Sequence, residues 1–148
     1  MMPSTDNTTN NSSKEKSLID QLTKRFFSIF TNAKQQRPNW DNLHTICLPE
    51  IIIIKKTKNS EEIYNLDSFI TPRKKIFEDG TLTDFEEIET SEKTKIVGTI
   101  AQRFSRYRKS GYYNREHFEE SGSKFFQFIK TQNGWRINSL IWEDDTLQ

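Results

Sequence analysis

Cysteine is almost missing from this chain. Cys47 stands alone among 148 residues, so no internal disulfide can close the fold, and a domain of this length buries enough surface to do without one. Its neighbours Leu43, Ile46 and Leu48 predict a buried structural thiol and not a nucleophile. Charge of one sign is missing as well. Twenty-two basic side chains meet twenty-one acidic ones, a net charge of +1, and no overall field draws the chain to nucleic acid or to an anionic membrane. The longest apolar run, Ile51-Ile52-Ile53-Ile54, falls far short of the roughly 20 residues of a membrane-spanning helix. Met1 to Lys16 carries Asn, Ser, Thr and charge where a signal peptide would carry an apolar core. These absences predict a cytoplasmic protein with no membrane partner, a disordered polar tail over residues 1–16, and a single domain over residues 17–148.

Catalytic signatures are equally scarce. His44 and His117 are the only histidines, and neither stands at a metal-ligand spacing with Cys47, so no metal is expected. Without a glycine-rich phosphate loop, a GxSxG elbow or a Cys-His pair in context, no cofactor is implied. Arg103, Arg106, Arg108, Lys109 and Arg115 interleave with Tyr107, Tyr112 and Tyr113, a faint likeness to a nucleic-acid surface. Glu116, Glu119 and Glu120 follow directly, which favours a solvated strand end.

What the chain does contain is periodicity. Ser17 and Asp20 form a capping-box-like start, and Leu18, Leu22, Phe26, Ile29 and Ala33 recur at helical spacing. Ile19, Phe27 and Phe30 widen that stripe, as for a helix laid across a sheet, and Pro38 closes it. A short helix from about Asn39 carries Trp40, Leu43 and Cys47 inward until Pro49. Ile51 to Lys56 reads as a strand buried on both faces. Leu66, Phe69, Ile70, Ile76 and Phe77 space as a further helix, kinked or begun at Pro72 and ended by Asp79-Gly80. Strands follow: Leu82 to Thr90, a weak turn near Glu92-Lys93, Lys95 to Lys109, and a terminal hairpin. Helices first and an antiparallel meander afterwards predict an α+β fold, a curved antiparallel sheet wrapped around helices on one face.

The hairpin is the most informative stretch. Asn133-Gly134 is its turn signal, between Lys124-Phe-Phe-Gln-Phe-Ile-Lys130 and Trp135-Arg-Ile-Asn-Ser-Leu-Ile-Trp142. A two-residue loop there sets Lys130 opposite Ile137, Phe128 opposite Ser139 and Phe126 opposite Ile141 on one face. The other face pairs Ile129 with Asn138, Gln127 with Leu140 and Phe125 with Trp142. Only the second face mixes amides with apolar bulk, which suits a ligand pocket. In the preceding strand, Ala101, Arg103, Ser105 and Tyr107 alternate with the more apolar Ile100, Gln102 and Phe104. The first set is assigned to the interior, where Arg103 can hold a carboxylate with Ser105 and Tyr107 beside it, or else pair with a structural Glu. The acidic run Asp84, Glu86, Glu87 and Glu89 reads as a solvated charged edge strand or else supplies a general base from an inward carboxylate, and a one-residue slip exchanges Glu86 for Glu87.

The string Gly98-Thr-Ile-Ala-Gln-Arg-Phe-Ser-Arg-Tyr107, with Gly122-Ser-Lys-Phe-Phe-Gln127 and Gly134-Trp-Arg-Ile-Asn-Ser-Leu-Ile-Trp142, resembles the SnoaL-like branch of the nuclear-transport-factor-2-like superfamily. The resemblance spans Ser17 to Asp145. It is strongest to bacterial members with an Ala-x-x-x-Ser-x-Tyr strand, here Ala101, Ser105 and Tyr107, and a Gln on the next, here Gln127. It implies a cystatin-like cone of three helices in a bent sheet, a homodimer through the outer face and a pocket between helices and sheet. It also favours Glu87 as the inward carboxylate. The expected ligand-binding set is Arg103, Ser105, Tyr107, Gln127, Asn138 and Trp142, around a small, partly apolar and carboxylate-bearing molecule. An acid-base enzyme of isomerase or cyclase type would use Glu87, or Asp84, as base and Tyr107 or Arg103 against the oxyanion. A protein association module is the third reading, because this fold carries many roles. The outer patch expected to join two copies is Phe126, Phe128, Ile137, Ile141, Ile100 and Phe104.

Overall fold

Helix α1, Thr5–Ile29, buries Ile19, Leu22, Thr23, Phe26, Phe27 and Ile29 along one face, and Phe30 directly after it is buried too. Leu18 stays 39% exposed, so the stripe centres on Ile19. The computed structural model describes residues 5–145, with side chains from Ser12 onward. Residues 5–16, expected as disordered tail, therefore extend the helix, while residues 1–4 lie outside the described part. The reason is long-range. Glu15 accepts hydrogen bonds from Lys130 and from the indole of Trp135, and Lys16 bridges Asp20 and Glu92 at 2.7 and 2.8 Å, partners that local composition cannot reveal. The helix stops well before Pro38 because Asn32 clamps the chain: its amide donates to Leu82 O at 3.0 Å and accepts from Phe85 N at 2.6 Å.

A 3-10 turn, Trp40–Asn42, leads into the single-turn α2, Leu43–Ile46, with Trp40, Leu43 and Cys47 buried. Helix α3, Leu66–Glu78, begins at an Asn65/Ser68 capping box and contains Pro72 in its interior. The strands are β1 (Cys47–Lys56), β2 (Glu61–Tyr64), β3 (Leu82–Val97), β4 (Ile100–Tyr113), β5 (Glu116–Thr131) and β6 (Gly134–Asp144). They form one sheet in the order β2-β1-β6-β5-β4-β3. The class is α+β as expected, but the sheet is mixed: β1 runs parallel to β6, and the other neighbours are antiparallel. The edge strand β2 was not anticipated, its four residues being too few for a pattern. Strand β1 is buried on one face only, through Ile51 and Ile53, and Ile52 is 53% exposed. No helix among the described residues is long and apolar enough to cross a membrane.

Two turns lie where the sequence pattern did not put them. Strand β3 continues through Glu92-Lys93 and reverses at Gly98-Thr99, where Gly98 adopts a φ of +62°. The last hairpin turns at Gln132-Asn133, with Thr131 paired to Gly134, so Gly134 at φ +100° closes the loop and is not one of its two central residues. A bulge then inserts Asn138 between the pairs Phe128/Ile137 and Gln127/Ser139. Together these shifts flip β5 relative to the expected register. Phe126, Phe128 and Ile137 point inward and are buried, while Phe125 is 54% exposed and Gln127 and Ile129 lie outside with it. Phe126 meets Phe26 edge-on at 5.3 Å, joining the sheet to α1.

Tyr107, Gly122 and Asp144 lie side by side across β4, β5 and β6. The phenol crosses Gly122 to donate to the Asp144 carboxylate, and a Cβ at position 122 would stand 2.1 Å from the phenol oxygen. Gly122→Ala is expected to displace Tyr107 and lower stability by about 1–3 kcal/mol, the usual cost of overpacking. Urea denaturation checks this; an unchanged midpoint would mean that the crossing is not tight.

Candidate functional site

Alternation on the curved sheet sends Glu87 and Glu89 from β3, Arg103, Ser105, Tyr107 and Lys109 from β4, Lys124 from β5 and Trp142 with Asp144 from β6 to the concave side. The α1 helix closes one end. There the Arg103 guanidinium, 3% exposed, donates to both oxygens of Glu89 at 3.0 and 2.6 Å, to Asp20 at 2.6 Å and to Thr94 at 3.1 Å, with Glu92 at 3.5 Å. Ser105 donates to the same Glu89. Burial disfavours the charge on Arg103, but Glu89 and Asp20 outweigh it and raise its pKa. Four of its five donors are taken and three carboxylates of the fold already meet its charge, which leaves little to attract a ligand acid. Arg103 and Ser105 are tethers for α1, the structural-Glu alternative, and not parts of the pocket.

The other end is open. A cavity of about 570 Å³ lies between α3 and the sheet, walled by Phe26, Phe30, Phe69, Phe77, Phe85 and Trp142, within the size range of small-molecule sites. Its floor carries two ion pairs. Lys124 Nζ lies 2.9 Å from Glu87 Oε1, close but without hydrogen-bond alignment, so the attraction is mainly Coulombic. Lys109 Nζ reaches both oxygens of Asp144 at 2.9 and 3.0 Å and Glu120 at 3.5 Å. Lys124 sits over the rings of Tyr107 at 4.3 Å, Trp142 at 4.9 Å and Phe27 at 5.8 Å. Burial depresses its pKa, Glu87 pulls the other way, and the Lys109 ammonium adds to the depression. Burial also works against ionising Asp144, yet Lys109 and the Tyr107 hydroxyl hold its carboxyl below the ordinary range. The Tyr107 phenol is pushed well up, by burial first and then by Asp144.

From α3, Arg73 reaches over the cavity. Its guanidinium stacks 4.1 Å from the Phe69 ring and lies 5.0 Å from Tyr64 and 5.5 Å from Trp142. One donor bonds Phe69 O at 3.1 Å, and among the described residues no carboxylate comes within 4.0 Å of it. Lys55, beside Trp142 in the β1/β6 register, lines the same cavity.

Of the residues singled out from sequence, Glu87 and Trp142 line the cavity, and Tyr107 lies just beneath its floor. Arg103 and Ser105 lie at the closed end. Gln127 and Asn138 are on the outer face, where Ser139 donates to Gln127, because the hairpin shift carries both amides outward. Asp84 and Glu86 are exposed. Lys124, Lys109, Asp144, Arg73 and Lys55 were not singled out. A signal existed for two of them: Lys109 shares the parity of Arg103 and Tyr107, and Lys124 is the charged member of the set Lys124, Phe126, Phe128. Cys47 is buried, and desolvation raises its thiol to about 12. No group of three or more His, Cys, Asp or Glu among the described residues is placed to hold a metal ion.

No family model matches the sequence, and no curated protein matches it. Solved structures do match its fold. A nuclear transport factor 2-like superfamily protein from Salmonella enterica superposes with a TM-score of 0.74 at 13% identity, covering 93% of this chain and 95% of that one. An uncharacterized protein with a cystatin-like fold from Caulobacter vibrioides gives 0.69 at 9% identity, over 90% and 91%. A putative Ca/calmodulin-dependent kinase II association domain from Exiguobacterium sibiricum gives 0.68 at 10% identity, over 100% and 99%. The chain has the nuclear-transport-factor-2-like cone fold.

The Arg103 network makes stability depend on acid pH. Burial raises the carboxyls of Asp20 and Glu92, but Lys16 with Arg103 at Asp20, and Lys16, Thr94 and Arg103 at Glu92, leave both below their ordinary values. A depressed folded-state pKa stabilises above the unfolded value and loses that contribution as protons return. Stability is thus expected to fall as pH drops below about 4. Asp20→Asn, which cannot titrate, should show a shallower fall in urea denaturation from pH 7 to pH 2. An equal slope in the variant would show that this carboxylate is not linked to folding.

Proposed function

We propose that the cavity binds a small, partly apolar molecule bearing a carboxylate or similar anion, with Arg73 as the anchoring charge. The observation that carries this reading is the half-buried guanidinium stacked at an aromatic cavity with no carboxylate beside it, whereas Lys109 and Lys124 on the cavity floor are each paired with a carboxylate. Trp142 and Phe69 would then stack against the apolar part. The proton-abstracting alternative has less support, because Glu87 is engaged by Lys124 and the Tyr107 phenol by Asp144. The inward Ala101, Ser105 and Tyr107 support placement near the SnoaL-like branch, and the unpaired thiol of Cys47 fits the reducing cytoplasm. Arylalkanoates such as 3-phenylpropionate should raise the melting temperature, since a ligand at a hundredfold its Kd stabilises the native state by about 2.7 kcal/mol. Arg73→Met should remove that shift, whereas Arg103→Met, outside the cavity, should retain it. A variant at Arg73 that responds like wild type would defeat the anchor.

The outer sheet face supports a homodimer. Ile100 is 58% exposed, Phe125 54%, Ile52 53%, Ile141 41% and Ile129 36%, and Phe104 packs on Phe125 at 5.0 Å. A contiguous apolar face of this kind is unusual on a monomer. Light scattering should give twice the chain mass, reduced to one by Phe125→Glu. A monomer at micromolar concentration would leave the face to another partner.

A further inference from the structure

Lys124 is the one lysine among the described residues that the fold buries, 5% exposed, and it lines the cavity. Among the described residues Glu87 is its one carboxylate partner, and Tyr107, Trp142 and Phe27 surround the rest of the side chain. A buried ion pair commonly gives no more stability than apolar side chains of the same volume. We infer that Lys124 is a covalent capture site for a carbonyl group, taking an aldehyde or ketone with an aromatic body as an imine while Glu87, 2.9 Å away, handles the protons.

The inference deepens the proposed binding reading and rests on it, because Arg73 would hold the ligand's acid while Lys124 meets its carbonyl. Lysine nucleophiles are activated by desolvation and by a second cation nearby, and Lys124 has both: burial and the neighbouring Lys109 lower its affinity for a proton. One proton transfer across the pair turns ammonium and carboxylate into amine and carboxylic acid. The amine nitrogen then bonds to the carbonyl carbon while Glu87 protonates the oxygen. Glu87 takes a proton back from nitrogen and returns it to the hydroxyl, which leaves as water. The product is a protonated imine beside the Glu87 carboxylate. Atoms and electrons balance without an oxidant or reductant. Lysines such as Lys58 and Lys93 are exposed, so selectivity for Lys124 distinguishes a built site from random condensation.

The test uses the full chain with phenylpyruvate and cinnamaldehyde as probes and sodium cyanoborohydride to reduce any imine to a stable amine, read by intact mass and peptide mapping. One adduct per chain at Lys124 is expected, suppressed at least fivefold by excess 3-phenylpropionate and slowed at least tenfold in Glu87→Gln. Lys124→Met should lose the adduct. Should that variant fail to fold, the map of the wild-type chain decides alone. Labels spread over exposed lysines with Lys124 untouched would overturn the inference. If 3-phenylpropionate still raises the melting temperature in that case, the binding reading survives and only the covalent step fails. If neither probe nor analogue binds, both fall together.

Discussion

The single-residue bulge at Asn138 is the constraint on which the interior depends. Side chains along a strand alternate strictly, so Trp135 and Ile137 can share a face with Leu140 and Trp142 only if one residue between them is taken out of the alternation. The extra residue does this: all four are buried, Asp144 follows them inward, and the pairing shifts by one between Phe128/Ile137 and Gln127/Ser139. On the other side of β6 the parallel pairing with β1 shifts between Cys47 and Ile52, the stretch that holds Pro49, which has no N–H to offer the ladder. Without the bulge, either the Trp135 end that receives Glu15 or the Trp142 end that walls the cavity would face outward.

The concave face is divided by charge. At the α1 end, one guanidinium gathers Glu89 and Asp20, with Glu92 close by, and gives four of its five donors to Glu89, Asp20 and Thr94. At the α3 end, Lys124 and Lys109 each have a carboxylate partner, while Arg73 has none. Tyr107 stands between, its ring under Lys124 and its hydroxyl on Asp144. Because this crossing occupies the space over Gly122, the boundary between tether and cavity is a packing constraint as well as an electrostatic one. A buried group whose removal leaves a charge unpaired is costly, which makes the two halves differ in kind: the first holds a helix, the second surrounds an empty volume.

Much of the fold was legible. The widened apolar stripe of α1, the order of helices before strands, and the inward set Ala101, Arg103, Ser105 and Tyr107 all follow from residue spacing that the structure repeats. The hairpin was not, because Asn133-Gly134 suits two turns differing by one residue, and a bulge has no sequence mark beyond the turn it compensates. That uncertainty exchanged Phe125 for Phe126 and placed Gln127 and Asn138 inside. Glu87 against Glu86 was open for the same reason, since β3 carries irregularities between Thr83 and Glu86 and between Glu89 and Ser91. The start of α1 was illegible for another reason: the sequence before Ser17 carries no apolar pattern, and the anchors of Glu15 and Lys16, namely Trp135, Lys130 and Glu92, lie far along the chain.

The site itself was legible by parity and not by residue type. Arg103 drew attention as the charge on an inward strand position, yet an arginine there is satisfied by carboxylates from β3 and α1 that the sequence distributes without visible pattern. Lys124 drew none, because lysine on a strand usually reads as a solvated edge, although it occupies the same face as Phe126 and Phe128. A charge among large apolar side chains of one parity must be either paired or used. Here Arg103 is paired several times over, whereas Lys124 has one poorly aligned partner and a cavity in front of it, so the second charge is the one whose cost the fold leaves unexplained by structure alone.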